Sequence, residues 1–271
     1  MSIDQIRSHF GFTKMPFSKD LAPSMLHRHR AHQEALARIA FLVEEQAIGV
    51  LTGEVGSGKT VAARAAIAAL EPSRHSVIYL ANPAIGARGL YAEIVARLGG
   101  EPRFFKSALI AQAGELLGKE ASERGRRVVV IVDESHLLDA DQLEELRLLT
   151  NSEMDSASPF ALLLLGQPSL RTRLRLGSFA ALDQRVTLRY ALAPMSAEET
   201  SSYVRHHLKL CGRSDTLFSD DALSSLHQAG RGLPRAVNNL ARQALVAAYA
   251  NRSAIVDEKA ARQAITEMDA E

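Results

Sequence analysis

The chain has 271 residues, of which 46% are hydrophobic, so it can build a full core and wholesale disorder is excluded. Its 32 Lys and Arg residues nearly balance 31 Asp and Glu residues. The net charge of +1 excludes a polycation, so any contact with nucleic acid must come from local basic patches. The chain has one cysteine and no apolar run of signal-peptide or membrane-spanning character, so we expect a cytoplasmic protein without membrane contact.

A short helix and an irregular segment occupy residues 1–29, and a helical pattern follows over AHQEALARIAFLVEEQ. Apolar runs of strand length then alternate with helical stretches. The runs are AIGVL (47–51), SVIYL (76–80), VVVIV (128–132) and FALLLL (160–165), and the helical stretches are 60–70, 90–98, 107–124 and 141–151. A last strand of this part lies within RVTLRY (185–190). Nearly continuous branched residues are typical of parallel strands buried on both faces. The alternation predicts an α/β fold in three layers, with a parallel sheet between helices.

After residue 192 the pattern is helical only. The stretches are SAEETSSYVRHHLKLC, SDDALSSLHQAG, LPRAVNNLARQALVAAYAN and DEKAARQAITEM. We therefore predict three parts: an N-terminal segment over 1–29, an α/β domain over 30–192 and a small all-helical domain over 193–271.

Residues 53–60, GEVGSGKT, match G-x-x-x-x-G-K-[ST] between a predicted strand and a predicted helix, which is the context of a P-loop. The glycines let successive backbone N–H groups turn inward around phosphates, and the following helix points its positive end at them. The predicted nucleotide contacts are Gly53, Glu54, Val55, Gly56, Ser57, Gly58, Lys59, Thr60 and Val61. Lys59 adds a positive charge, and the Thr60 hydroxyl can ligate Mg²⁺.

A second motif, VVVIVDE, ends the third apolar run with two carboxylates, Asp133 and Glu134. Parallel sheets bind ligands at the carboxyl ends of their strands, which puts this pair beside the phosphate loop. Asp133 suits the Mg²⁺-water shell, and Glu134 can polarise the attacking water. The two motifs together predict an enzyme that binds and hydrolyses ATP, with ATP and Mg²⁺ as cofactors.

The Asp-Glu pair, the small helical domain and polar residues after further strands resemble the AAA+ subclass of P-loop ATPases. Gln167 follows FALLLLG, where AAA+ proteins place a polar sensor of the γ-phosphate. Asn82 follows SVIYL, where some members place a partner of the catalytic glutamate. Either residue could instead be a turn former. Arg235, in GLPR, resembles the second sensor, whose arginine reaches from the helical domain to the nucleotide.

Arg185 precedes the last strand of the α/β domain. In AAA+ assemblies this region supplies an arginine finger to the neighbouring subunit, where it stabilises transition-state charge. Nearby alternatives are Arg171, Arg173, Arg175 and Arg189. Because an arginine finger acts on a neighbouring subunit, the resemblance implies self-association.

Over residues 5–268 the chain resembles the ExeA-like AAA+ ATPases, through FGFTKMPFSKD, VLTGEVGSGKT, VDESHLL, LLLLGQPSLRTRLR and LDQRVTLRYALAPMSAEETSSYVRHHLKLCG. That group includes secretion-pathway ExeA/GspA proteins and transposon ATPases of TnsC/TniB type. In such proteins the Pro-Phe segment lies against the adenine, which implies a contact by Met15, Pro16 or Phe17. Packing of Phe17 in the core is the equal alternative.

Secretion-type members append a membrane span and a cell-wall-binding module, whereas transposition-type members are short and end with the helical domain, as this chain does. We therefore expect the transposition branch. The resemblance then implies assembly with ATP into a ring or filament on double-stranded DNA, and recruitment or activation of a transposase and target DNA. The alternatives are a secretion-type energising ATPase and a helicase-loader or initiator-like ATPase.

The candidate DNA contacts are Arg103 and Lys106 in EPRFFK, where related ATPases line the ring pore. A second basic cluster is Lys119, Arg124, Arg126 and Arg127. Because no base-reading module is visible, we expect phosphate contacts with low sequence specificity. The sequence places no further metal-ligand residues at suitable spacing from His136, His206 and His207, which indicates ordinary surface or capping histidines.

Overall fold

The computed structural model describes residues 2–18, 20–151 and 158–269. Packing divides the chain into two units. The α/β unit consists of Glu34–Val55 and Lys59–Leu192, and the helical unit consists of Met1–Gln33, Gly56–Gly58 and Ala193–Glu271. In the described ranges, no helix has both the length and the apolar character needed to cross a lipid bilayer.

Five parallel strands form the centre of the α/β unit. They are β1 (Ile48–Thr52), β2 (His75–Leu80), β3 (Arg127–Val132), β4 (Phe160–Gly166) and β5 (Val186–Ala191), in the spatial order β2-β3-β4-β1-β5. Four were expected from the apolar runs and the fifth from RVTLRY, and each predicted end lies within one residue of the observed end. Strands β1 and β4 are buried along their whole length, as their continuous apolar sequences predict.

Helices cover this sheet, which confirms the predicted three-layer α/β fold. They are α2 (Arg30–Glu44), α3 (Lys59–Ala68), α4 (Gly86–Arg97), α5 (Lys106–Ser122), α6 (Ala140–Leu149), α7 (Pro168–Leu174) and α8 (Ala180–Arg185). Alternate strand residues, such as Val130 and Leu162, pack with apolar side chains of α4 to α8 in one core. Helix α4 begins four residues before the predicted start. The prediction missed its first turn, GARG, because a glycine-rich sequence has low helix propensity.

The helical unit contains α1 (Ile3–Phe10), α9 (Ala197–Lys209), α10 (Asp220–Gly230), α11 (Pro234–Ala250) and α12 (Glu258–Asp269). Capping boxes start α1 and α9, where Ser2 and Ser196 accept from the backbone N–H three residues on. Phe10 and Phe12 are buried in one core with side chains of α9 to α12. The N-terminal segment thus packs together with the helices that follow residue 192.

Gly232 joins α10 to α11 at a place where two backbone segments meet. Its φ is +67°, and its carbonyl accepts a hydrogen bond from the backbone N–H of Met195 at 2.9 Å. A Cβ at this position would lie 2.1 Å from the Met195 carbonyl oxygen. Only glycine fits here, because both the left-handed backbone and the close approach exclude a side chain.

We expect Gly232→Ala to destabilise the helical unit by about 3 kcal/mol or more, since the Cβ collides with backbone. Gly11→Ala is the matched control in the same unit. Gly11 has φ +69° but open space around its Cβ position, so its cost should be only the left-handed strain of about 1 kcal/mol. Urea unfolding followed by circular dichroism measures both. Equal destabilisation by the two variants would contradict the close approach at Gly232.

Candidate nucleotide-binding site

The loop between β1 and α3 has the backbone that the P-loop motif requires. The N–H of Gly53 donates to the carbonyl of Gly166, at the end of β4, at 3.3 Å. Gly56 and Gly58 have φ values of +80° and +98°, a conformation that glycine adopts without strain. Helix α3 begins directly afterwards at Lys59, so the free N–H groups of its first turn adjoin the loop.

Two polar side chains of the loop are buried. The Lys59 ammonium donates to the carbonyls of Gly53 at 2.9 Å and Glu54 at 3.0 Å. The Ser57 hydroxyl is buried without a hydrogen-bond partner among the described residues. Buried polar groups are normally paired, so a hydroxyl left unpaired in a loop of this shape fits a phosphate ligand. The side chains of Glu54, Val55 and Thr60 are exposed, and that of Val61 is half-buried.

The carboxylate of Asp133 connects three elements at the carboxyl edge of the sheet. It follows β3 and is 5% exposed. Its Oδ2 accepts from the Thr60 hydroxyl of α3 at 2.7 Å and from the Tyr79 hydroxyl of β2 at 2.8 Å. Burial, followed by the bond to Asp133, raises the pKa of the Tyr79 phenol, so it donates at neutral pH. Thr60 and Asp133, the predicted Mg²⁺ ligands, are thereby brought together, and oxygen donors suit that cation.

Glu134 has a left-handed backbone, with φ +49° and ψ +35°, and its N–H donates to Asp133 Oδ1 at 2.8 Å. Its half-exposed carboxylate lies with Oε2 3.4 Å from Nδ1 of His136. The opposite ring nitrogen of His136, Nε2, lies 3.0 Å from Nε2 of Gln167. The predicted sensor and the predicted catalytic glutamate are thus both adjacent to one histidine.

Asn82 forms part of a turn after β2. Its Oδ1 accepts from the N–H of Ala84 at 3.1 Å, and Gln142 of α6 donates to the carbonyl of Pro83 at 2.6 Å. Among the described residues, no hydrogen bond joins Asn82 to Glu134. The structure therefore shows Asn82 as a turn former, and its role as partner of the glutamate stays a prediction.

Arg185 is partly buried at the end of α8. Its guanidinium donates to the carbonyls of Arg147 at 3.1 Å and Thr150 at 3.4 Å, at the end of α6. Of the alternatives, Arg173 donates to the carbonyl of Leu138 and Arg189 pairs with Asp183, whereas Arg171 and Arg175 have exposed side chains. The orientation of Arg185 is thus fixed by main-chain oxygens, and its role as a finger stays a prediction.

Two further predicted nucleotide contacts lie in the helical unit. The backbone N–H of Arg235, in the first turn of α11, donates to the carbonyl of Gly56 at 3.2 Å, while its side chain is exposed. Phe17 is only 3% exposed, and its ring stacks on His207 at 5.2 Å. The structure shows Phe17 as a core residue, which was the alternative interpretation, and its contact with adenine stays a prediction.

The two predicted DNA contacts, at the start of α5, differ in their surroundings. The Lys106 ammonium pairs with Glu145 at 2.5 Å. No hydrogen bond or ion pair among the described residues engages the Arg103 guanidinium, which is exposed. Between them, Phe104 and Phe105 are 79% and 71% exposed, with ring centroids 5.3 Å apart. This loop therefore presents one unpaired cation and two exposed rings.

Tyr79 and His136 are polar contacts of the site that the sequence did not reveal. Tyr79 is the penultimate residue of β2, and a hydroxyl so near the carboxyl end of a parallel strand lies at the edge of the sheet where ligands bind. His136 lies two residues after Glu134, in a 3₁₀ turn over Ser135–Leu137. A histidine two residues from a proposed general base is near enough in sequence to be its partner.

The fold and the arrangement of these residues define a P-loop ATPase fold of the AAA+ class. Residues 43–174 match the family described as AAA domain. That range contains the P-loop, the Asp133–Glu134 pair and Gln167. The AAA+ fold predicted from the sequence is therefore confirmed.

The chain is 36% identical over 248 residues to General secretion pathway protein A from Aeromonas hydrophila. The match covers 90% of this chain but 45% of that protein, so the chain spans about half the length of its curated relative. This similarity supports an ExeA-like AAA+ ATPase. It favours the secretion alternative over the transposition branch, which none of the reported similarities supports.

Solved structures share the fold at low identity. Cdc6p from Pyrobaculum aerophilum has a TM-score of 0.70 at 18% identity, with 93% of this chain and 70% of that chain covered. The ORC2 protein from Aeropyrum pernix has a TM-score of 0.67 at 20% identity, with the same coverage. The RuvB Holliday junction branch migration motor of Thermotoga maritima has a TM-score of 0.57 at 17% identity, covering 87% of this chain and 69% of that one.

Proposed function

We propose that this protein binds Mg-ATP at the P-loop and hydrolyses it to ADP and phosphate. The observation that carries the proposal is the 2.7 Å hydrogen bond between Thr60 and Asp133. This hydrogen bond joins two oxygen ligands suited to Mg²⁺. One of them, Thr60, directly follows the buried Lys59 at the start of α3. Bound Mg²⁺ would neutralise charge on the β- and γ-phosphates during phosphoryl transfer.

The chain's own residues supply the rest of the chemistry. Lys59 exchanges its carbonyl partners for phosphate oxygens, and the glycine-rich backbone donates N–H groups to them. The oxygen of a water attacks the γ-phosphorus, the bond to the bridging oxygen of ADP breaks, and Glu134 accepts the water's proton. Gln167 presents its amide to the transferring phosphate. Arg235 and Phe17 are the proposed contacts on the nucleotide's other groups.

We further propose that the ATPase serves as the energising module of a secretion-pathway assembly, as in proteins of the ExeA type. The support is the 36% identity to General secretion pathway protein A across 90% of this chain. At the 17–20% identity of the solved structures only the fold is shared, so they carry no argument about the process served. Self-association is part of the proposal, because Arg185 would act on a neighbouring subunit's nucleotide.

A DNA-assembled transposition regulator is the second candidate. The observation in its favour is the unpaired, exposed Arg103, beside two exposed aromatic rings. An unpaired guanidinium can bind a phosphate without first breaking an ion pair. Its partners would be double-stranded DNA and a transposase.

We expect Lys59→Ala to weaken ATP binding by about 10- to 100-fold, because charge-assisted hydrogen bonds to phosphate are lost. Glu134→Gln should keep the affinity and slow turnover by about 10²- to 10⁴-fold, because it removes only the proton acceptor. Titration with a fluorescent ATP analogue and phosphate release measure the two effects. Glu45→Gln, the same change at an exposed position, is the control. Wild-type turnover in Glu134→Gln would remove that residue from the mechanism.

Hydrolysis should be completed across a subunit interface. Arg185→Ala and Glu134→Gln subunits should each be inactive alone, whereas an equal mixture leaves about a quarter of the interfaces with both groups intact. Arg185 also donates hydrogen bonds to two carbonyls at the end of α6, so its loss could destabilise the fold. The melting temperature of each variant is therefore measured as well. A mixture that assembles and melts normally but stays inactive would rule out Arg185 as the finger.

The DNA candidate is tested by charge reversal. If Arg103 contacts a phosphate, Arg103→Glu should reduce the slope of log affinity against log salt by about 0.9 per subunit. Lys106→Glu should have a smaller effect, because Lys106 is already paired with Glu145. Arg262→Glu on α12 is the control, and anisotropy of labelled duplex with ATP present is the measurement. Absence of ATP-dependent DNA binding at moderate salt would eliminate this candidate.

A further inference from the structure

His136 lies between the two side chains to which the proposed function gives separate tasks. One ring nitrogen, Nε2, is 3.0 Å from the amide nitrogen of Gln167. The other, Nδ1, lies 3.4 Å from Oε2 of Glu134 and is buried without a hydrogen-bond partner among the described residues. The histidine side chain is only 14% exposed, so water has little access to compete for these contacts. The ring therefore lies between Gln167, the residue after β4, and Glu134, the second residue after β3.

The contact with Gln167 determines where the imidazole hydrogen lies. An amide nitrogen carries hydrogens and cannot accept, so Gln167 donates and Nε2 of His136 must be the acceptor. A neutral imidazole has one N–H group, which is then Nδ1–H. That hydrogen is on the side of the ring that lies near the Glu134 carboxylate.

The turn that carries His136 is held by hydrogen bonds and by close packing on β4. The Ser135 hydroxyl donates to the carbonyl of Val132 at 2.6 Å, and the N–H of Leu137 donates to the carbonyl of Glu134 at 2.9 Å. A Cβ at Gly166 would lie 3.4 Å from the backbone nitrogen of His136. The 3₁₀ turn thus packs closely against the end of β4, from which Gln167 follows.

We infer that His136 is a positioning residue: its buried, unpartnered Nδ1–H takes the nearby Glu134 carboxylate as its hydrogen-bond acceptor during activation of water, and Gln167 sets the tautomer that allows this. The inference rests on the proposed function, which gives Glu134 and Gln167 their tasks. If Gln167 turns its amide oxygen toward the ring, Nε2 must donate, and Nδ1 then presents a lone pair to the carboxylate. The arrangement of Gln167 at the phosphate is thereby coupled to the orientation of Glu134 through the position of one hydrogen.

The tautomer can be measured without nucleotide, by nitrogen-15 NMR of the imidazole rings in the full chain. His136→Asn identifies the signal by its disappearance. We expect Nδ1–H in the wild type and a shift of at least half the population to Nε2–H in Gln167→Glu, whose carboxylate can only accept. His206 is an internal reference, because its Nε2 lies 2.7 Å from the carbonyl of Met25 and must donate. An Nε2–H tautomer of His136 in the wild type would overturn the inference.

Three substitutions at His136 separate positioning from a structural role. His136→Asn keeps a donor near the position of Nδ1, His136→Gln keeps a polar atom near Nε2, and His136→Phe keeps only the ring. We expect the affinity for a fluorescent ATP analogue to stay within about twofold in all three, since none removes a phosphate contact. Single-turnover hydrolysis should fall about tenfold in the Phe and Gln variants, the loss of one hydrogen bond, and by less than about threefold in the Asn variant.

Equal slowing in the Asn and Phe variants, or loss of affinity in parallel with turnover, would show a structural role and overturn the inference. Turnover at the wild-type rate in His136→Phe would overturn it as well. A wild-type chain that binds ATP without hydrolysing it would instead contradict the proposed function, and this inference with it. The two failures are therefore distinguished by the turnover of the wild type alone.

Discussion

The buried carboxylate of Asp133 is the contact on which the geometry of the candidate site depends. A charge at 5% exposure is costly unless it is hydrogen-bonded. The hydroxyls of Thr60 and Tyr79 and the N–H of Glu134 supply three donors to it. These donors come from α3, β2 and the turn after β3, so stabilising one charge fixes the helix of the P-loop relative to two strands. The same requirement that keeps the fold intact thus assembles the ligands for Mg²⁺.

The fold and the centre of the site could be predicted from the sequence because their signals are local. A parallel strand buried on both faces must be apolar along its length, as FALLLL is in β4. The P-loop and the Asp133–Glu134 pair each lie within a few consecutive residues, and their chemistry requires those residue types. The weakest signal came from α4, whose glycine-rich first turn has low intrinsic propensity and forms through packing of later residues such as Leu90.

The polar contacts around this centre could not be predicted, because they depend on strand order and register. Tyr79 reaches Asp133 since β2 pairs with β3, with Tyr79 opposite Ile131. His136 meets Gln167, 31 residues away, since β3 and β4 are neighbours. The resemblance to AAA+ proteins suggested Asn82 as the partner of Glu134, but a short polar side chain after a strand can also accept from its own turn, as it does here.

Asp133 and Glu134 are adjacent in sequence, yet they are restrained very differently. Asp133 accepts three hydrogen bonds of 2.7–2.8 Å, whereas the Glu134 carboxylate is half exposed, lies 3.4 Å from His136 Nδ1 and accepts no hydrogen bond from the described residues. The backbone of Glu134 is left-handed, which costs about 1–2 kcal/mol for such a residue, while its N–H is one of the donors to Asp133. A metal ligand must stay in place throughout the reaction, while a base must change partners from a neighbouring group to a water. The difference in restraint therefore matches the difference in proposed role, and a long contact from His136 is sufficient for Glu134, because a stronger one would compete with the water that it has to activate.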